Sequence, residues 1–559
     1  MKLSTDQTLL DYFYYWENET PDKIYLRQPF GDTFRDFTWK DVGEQARKIA
    51  GYFKSLHLPE KSNIGIISKN CAEWIISDLA IMMSGNISVP FYPTLVGDQL
   101  KSVLIHSDCK YLFVGKLDHP LATKTGIPEE VNCISFPGYN PDPEHIQWNE
   151  ILAAKPLKDH FVPKHKDLAS IIYTSGTTGN PKGVMTTFGA FSHLLYETRE
   201  ITLVGEKENI FFSYLPLSHI AERTIIEAAS MVCGGTIYFA ESLESFAKNL
   251  QNASPTHFLA VPRIWTKFQL GILSKMPQKK LNFLLQIPLI NSIIKKKIKA
   301  GLGLTRAKLV ITGAAPMPVA LLKWFRRLDI NIQEAYGMTE NLAGVCAMPA
   351  DHIKDGTVGK LHPKVELKLD EETNEIMTRA PWNMAGYYKE PQMTKETITT
   401  EGWLKTGDVG ELDNENYLTI TGRVKEMYKT SKGEYVVPSQ IEMLFSESEW
   451  IEQICVVGQS LPQPIALVIL SDNAASIAAD ELTSNLEELL HKTNEVLKSY
   501  EKVKCLVVLK EPWTEDNNCL TPTLKIKRPV IEKRFEHLYQ SWFDKGSHIV
   551  QEAVIETVS

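Results

Sequence analysis

No stretch of this chain reaches 18 uninterrupted apolar residues, and the segment from Met1 to Asp11 has no apolar signal core. The expectation is a soluble, cytoplasmic protein. No two of the eight cysteines (Cys71, Cys109, Cys133, Cys233, Cys346, Cys455, Cys505, Cys519) form a Cys-x-x-Cys pair. Most sit in apolar runs, so buried reduced thiols are expected in place of disulfides or zinc ligands. Internal repeats and low-complexity segments are also missing. No Asp or Glu occurs between Ser245 and Leu328, where fifteen Lys and Arg stand. The remainder holds 45 basic and 68 acidic residues, a balance of −23, although the whole chain carries only −8. A net charge of −8 offers no case for a nucleic-acid partner. The asymmetry instead marks a local anion-facing surface.

With 559 residues, 43% of them hydrophobic, the chain can bury large cores and suggests two to four domains. Residues 1–60 read as an entry segment with a helix from about Trp39 to Leu56. Ile64 to Ser68 reads as a buried strand. Ile75, Ile76, Leu79, Ala80 and Met83 follow at helical spacing, and Ile87 to Pro90 is again strand-like. A second helix (Asp98 to His106) leads to the strand Tyr111 to Val114. Strand–helix–strand–helix–strand in about fifty residues is a parallel α/β unit.

The most informative stretch is Tyr173-Thr174-Ser175-Gly176-Thr177-Thr178-Gly179-Asn180-Pro181-Lys182-Gly183. Its glycines let backbone N–H groups approach an anion, its hydroxyls donate more bonds, and Lys182 brings charge. A phosphate-holding loop that opens a second α/β unit is expected; a polar hairpin turn is the plainer alternative. It is not a Walker A loop, because Gly-x4-Gly-Lys-Ser/Thr fits in no register.

This stretch resembles the signature of the adenylate-forming, AMP-binding superfamily, and the rest of the chain adds further motifs in order. Leu215-Pro216-Leu217-Ser218-His219-Ile220-Ala221-Glu222-Arg223 and Val261-Pro262-Arg263-Ile264-Trp265 resemble motifs of its long-chain acyl-CoA synthetase branch. So does Tyr336-Gly337-Met338-Thr339-Glu340-Asn341. Gly386-Tyr387-Tyr388, Gly402-Trp403-Leu404-Lys405-Thr406-Gly407-Asp408 and Gly422-Arg423-Val424-Lys425 follow, and Thr521-x3-Lys525-x2-Arg528 closes the set.

The resemblance implies an α/β fold. A large N-terminal body, residues 1–422, would hold two α/β subdomains and a β-rich one, and a small mobile α+β lid would cover 423–559. It implies that Thr174, Ser175, Gly176, Thr177, Thr178, Gly179 and Lys182 hold the ATP phosphates. Gly313, Ala314, Ala315, Pro316, Glu334, Ala335, Tyr336 and Gly337 would form the adenine site, with Tyr336 stacking on the ring. Asp408 and Arg423 would meet the ribose. Lys525, Thr339, Glu340 and His219 are implied as catalytic, with Glu340 also the Mg²⁺ ligand, His219 near the acyl pocket and Lys425 at the hinge. The chemistry suits these assignments: a hard cation needs carboxylate oxygens, and an acceptor-only carboxylate can hold two ribose hydroxyls.

The implied activity uses ATP, Mg²⁺ and CoA to turn a fatty acid into acyl-adenylate and then acyl-CoA. An acyl-AMP ligase that transfers to a carrier protein is the rival within the class, and a non-catalytic nucleotide-binding scaffold the rival outside it. The acid-free region around 275–299, where Leu281, Phe283, Leu285, Leu289, Ile290, Ile293 and Ile294 alternate with lysine clusters, has two readings. One is a solvated helix face. The other is peripheral contact with the inner face of an anionic membrane.

Overall fold

The computed structural model describes residues 3–139, 141–174, 182–205, 208–445, 448–474, 477–520 and 526–552. Two large sheets form the body. In the first, of eight strands, the apolar runs Asn63–Ile67, Ile87–Phe91 and Tyr111–Val114 lie parallel at the centre, as their helical crossovers require. Strands Asn63–Ile67 and Ile87–Phe91 are buried at every position, which is what continuous hydrophobic runs predict for a sheet covered on both faces. In the second, of nine strands, Ile210–Ser213, His257–Ala260, Leu309–Thr312 and Gln333–Tyr336 run parallel.

Two local expectations change here. Residues 24–38 form a hairpin (Ile24–Phe30 and Thr33–Thr38) whose first strand pairs with Thr236–Phe239, placing Leu26 opposite Ile237. The entry segment thus completes a sheet whose other strands lie far along the chain. Secondly, Leu168–Thr174 and Lys182–Thr187 are antiparallel neighbours in the first sheet, with Thr174 opposite Lys182. The candidate phosphate loop therefore joins paired strands of the first α/β unit and does not open a second one.

Between the two sheets lies the helix Ala72–Met83, buried on all sides, including Glu73, Ser77 and Asp78. A helix without an exposed face belongs in a core. Its buried Asp78 carboxylate accepts a 2.7 Å hydrogen bond from the Arg223 guanidinium, and Glu227 approaches the same guanidinium at 3.4 Å. Burying these charges is tolerable only because they are paired.

Strands Glu366–Leu369, Glu375–Arg379, Leu404–Leu412 and Leu418–Arg423 make a separate antiparallel sheet. Beyond Arg423 the chain forms a short hairpin (Tyr428–Lys429 and Tyr435–Val436). A four-stranded sheet follows, Ile451–Val457, Ile465–Leu470, Leu506–Leu509 and Ile549–Gln551, flanked by the helix Ala479–Val496. Arg263 of the body meets Glu452 of this last sheet at 2.9 Å. All eight cysteines are free, six of them buried and two partly so. Among the described residues no helix is long and apolar enough to cross a membrane.

Candidate active site

Five separated motifs converge on two sets of contacts joined through the segment from Tyr336 to Glu340. Lys182 begins the strand that pairs with Gly386–Tyr387, and its ammonium lies 5.3 Å from the centre of the Tyr387 ring. The Tyr387 hydroxyl donates a 2.7 Å hydrogen bond to Glu340 Oε1. Glu340 and Thr339 sit in a single helical turn, Thr339–Asn341, directly after the strand that ends at Tyr336. The Tyr336 hydroxyl donates to Asp408 Oδ2 at 2.7 Å, and Arg423 Nε meets Asp408 Oδ1 at 2.8 Å. Asp408 and Arg423 are cross-strand partners of the antiparallel sheet, so their distance is set by register, not by side-chain reach.

Close backbone approach shapes the rest. A Cβ on Gly337 would lie 2.2 Å from the backbone of Ala343, so this turn admits only glycine. Gly313 faces the Ala335 carbonyl, where a Cβ would come to 2.8 Å, and Ala314 takes a φ of +66°. These residues, with Ala315 and Pro316, form the exit of the strand Leu309–Thr312, beside Glu334 and Ala335 on the neighbouring strand. Burial lifts the Glu334 carboxyl to about 8, helped by Asp355 and opposed by Arg326.

Glu340 is the electrostatic focus. Burial raises its carboxyl above the usual range, while the Tyr387 hydroxyl and the charges of Lys182 and Arg423 pull the other way. Such a group favours a further cation. Among the described residues no three His, Cys, Asp or Glu side chains cluster as a metal cage. One carboxylate with substrate phosphates and water is how Mg²⁺ is commonly held, so these residues fit it.

His219 stands apart from this set. Its Nδ1 accepts from the Ala221 N–H at 3.3 Å at the start of the short helix Ile220–Glu222. Two side chains that the sequence reading passed over hold its loop. Asn70 donates to the Leu215 carbonyl and the Ser213 hydroxyl and accepts from the Leu217 N–H. Glu222 accepts from the Ser213 hydroxyl and the Tyr214 N–H. Tyr387 was likewise within a quoted motif without being assigned a role. No local pattern marked these residues, because their partners lie up to 152 positions away. Ser175, Gly176, Thr177, Thr178, Gly179 and Lys525 lie outside the described residues. Lys425 is exposed in the turn that follows Arg423.

The Glu222 carboxyl is pushed up to about 8 by burial, against hydrogen bonds from Ser213 and Tyr214. From its ordinary 4.5 to about 8 the folded protein keeps a proton that the unfolded chain has released. By linkage its contribution to stability falls as pH rises through that window. Glu222→Gln, which mimics the protonated form, is expected to flatten this part of the stability profile. Thermal melts of parent and variant across the window check it, and parallel profiles would refute it.

A family model described as AMP-binding enzyme matches residues 13–388, and one described as AMP-binding enzyme C-terminal domain matches 426–546. Long-chain-fatty-acid–CoA ligase 5 of Mus musculus is 30% identical, covering 91% of this chain and 84% of that protein. Fatty acyl-CoA synthetase A of Dictyostelium discoideum is 28% identical over 96% of this chain and 90% of its own. Among solved structures, the anthranilate CoA ligase AuaEII in complex with anthranoyl-AMP superposes with a TM-score of 0.79 at 19% identity. It covers 97% of this chain and all of its own, a likeness that speaks to the fold alone.

Proposed function

The chain belongs to the AMP-binding enzyme family, and on that premise we propose that it is a long-chain fatty acid–CoA ligase working in two half-reactions. In the first, a carboxylate oxygen of the fatty acid attacks the α-phosphorus of ATP. The bond to pyrophosphate breaks and an acyl-adenylate forms. In the second, the CoA thiol attacks the acyl carbon, the bond to AMP breaks, and the thioester leaves with the thiol proton passing to solvent. A carboxylate alone is a poor electrophile; the adenylate supplies a good leaving group. The protein's share is positioning and charge stabilisation.

The observation that carries this reading is the pair of contact sets Lys182–Tyr387–Glu340 and Tyr336–Asp408–Arg423, joined through the short segment from Tyr336 to Glu340, which span a phosphate end and a nucleoside end. Asp408 presents two acceptor oxygens to the ribose, already oriented by Tyr336 and Arg423. Thr174–Lys182 borders the β- and γ-phosphates, and Thr339 the α-phosphate. Glu340, held by Tyr387, would bind Mg²⁺, which would supply charge neutralisation on the phosphates. Lys525 bridges the α-phosphate and acyl oxygens during the first step. The acyl chain would run beside the His219 loop, whose flanking Leu215, Ala221 and Ile225 pack on the buried Leu259, Leu309 and Ile311. Residues 423–559 form the moving lid and 1–422 the body. The protein works in the cytoplasm, at the inner face of a membrane.

The test is acid-dependent pyrophosphate release, first without an acceptor, then with CoA or carrier protein across fatty acids of increasing length. Release that needs a long-chain acid, with CoA as the acceptor consumed, supports the reading. No acid dependence would sink it.

A further inference from the structure

The acid-free segment folds into a helical hairpin, Gln278–Gln286 and Ile290–Gly301. Its inner side is settled: Leu281 is buried, and Leu285, Ile294 and Ile298 pack on the core around Phe258, Trp265 and Phe325. Its outer side is not uniformly polar, as a solvated face would be. Phe283 is 64% exposed, Leu289 83%, Ile290 37% and Ile293 53%. Leu289 forms the tip between the helices at a φ of +68°, a conformation that leucine rarely adopts and that turns its side chain outward.

The lysines are arranged around these side chains. Lys279 and Lys280 precede Phe283 by one turn, and Lys296 and Lys297 follow Ile293 by one turn, so helical spacing puts each pair beside an exposed apolar residue. None of these four forms an ion pair with a described residue. Lys295, which the sequence places in the same cluster, is different. It is mostly buried and bonds Asp329 at 2.9 Å, so it belongs to the protein's own packing.

We infer that this hairpin seats on an anionic lipid bilayer, with Phe283, Leu289, Ile290 and Ile293 entering the headgroup boundary and Lys279, Lys280, Lys296 and Lys297 meeting lipid phosphates. Charge selects this occupant. A second copy meeting the patch about a two-fold axis would set these lysines against themselves. An anionic surface attracts this face and repels the rest of the chain, whose balance is −23, so it also fixes orientation. The inference deepens the membrane location proposed above but does not rest on the ligase chemistry.

The experiment is sedimentation with vesicles of phosphatidylglycerol and phosphatidylcholine in equal parts, or of phosphatidylcholine alone, at low and high salt. The protein is expected to bind the anionic vesicles only, and less in salt. Replacing Lys279, Lys280, Lys296 and Lys297 by Gln lowers binding at low salt by on the order of a thousandfold and weakens the salt dependence. Replacing Phe283 and Ile293 by Gln and Leu289 by Asn, which tolerates positive φ, weakens binding at both salts, by about tenfold or more. Pyrophosphate release from a long-chain acid carried on albumin, measured without vesicles, stays at the parent level in both variants. Failure of the surface and failure of the chemistry are thereby separated. Variants that sediment like the parent, or a parent that ignores anionic vesicles, overturn the inference. So does a parent dimer that the apolar variant splits while vesicle binding is unchanged.

Discussion

Glu340→Gln is expected to lower acid-dependent pyrophosphate release by at least about tenfold to a hundredfold, because it removes the negative charge at the proposed metal position while keeping shape. Tyr387→Phe is the informative companion. It keeps the ring beneath Lys182 and removes only the hydroxyl that holds Glu340 Oε1. It is therefore expected to shift the Mg²⁺ concentration needed for half-maximal release, with a smaller loss at saturating Mg²⁺. Tryptophan-fluorescence titration of the protein with Mg²⁺ and AMP supplies a readout besides turnover. Unchanged release by Glu340→Gln at saturating Mg²⁺ would remove Glu340 from the site.

The second large effect separates the half-reactions. In the proposed reaction Lys525 would act only while charge builds on the α-phosphate, and it would have to withdraw before a thiol could approach along 430–437. Lys525→Ala is expected to abolish adenylate formation yet still convert supplied acyl-adenylate and CoA to product. Lys425→Pro is expected to do the reverse. No described residue accepts a hydrogen bond from the Lys425 N–H, so proline there removes no such bond. What it does is fix φ near −65° at the proposed hinge. The Arg263–Glu452 contact, which would join the proposed body and lid, would not oppose such a rotation strongly. Both partners are a third exposed or more, and such pairs contribute at most about 1 kcal/mol. Each mutant should be assayed for each half-reaction on its own. Parallel loss of both steps would refute the rotating lid.

The amino-acid sequence alone was enough for whatever depends on neighbours a few positions apart. Apolar runs bounded by turns located the strands Asn63–Ile67, Ile87–Phe91 and Tyr111–Val114 and the helix between the first two within a few residues. The α/β class and the order of the motifs were legible for the same reason. Tertiary structure alone decided what depends on distant partners. It set Leu26 opposite Ile237, placed antiparallel strands on either side of the candidate phosphate loop, and took Lys295 out of the lysine cluster by giving it Asp329. It also brought Tyr387 to Glu340 and Tyr336 to Asp408. Local periodicity reports which face of an element is apolar. It carries no information about which of several hundred distant groups will meet that face, because that choice is made by packing and by the need of each buried polar atom for a partner.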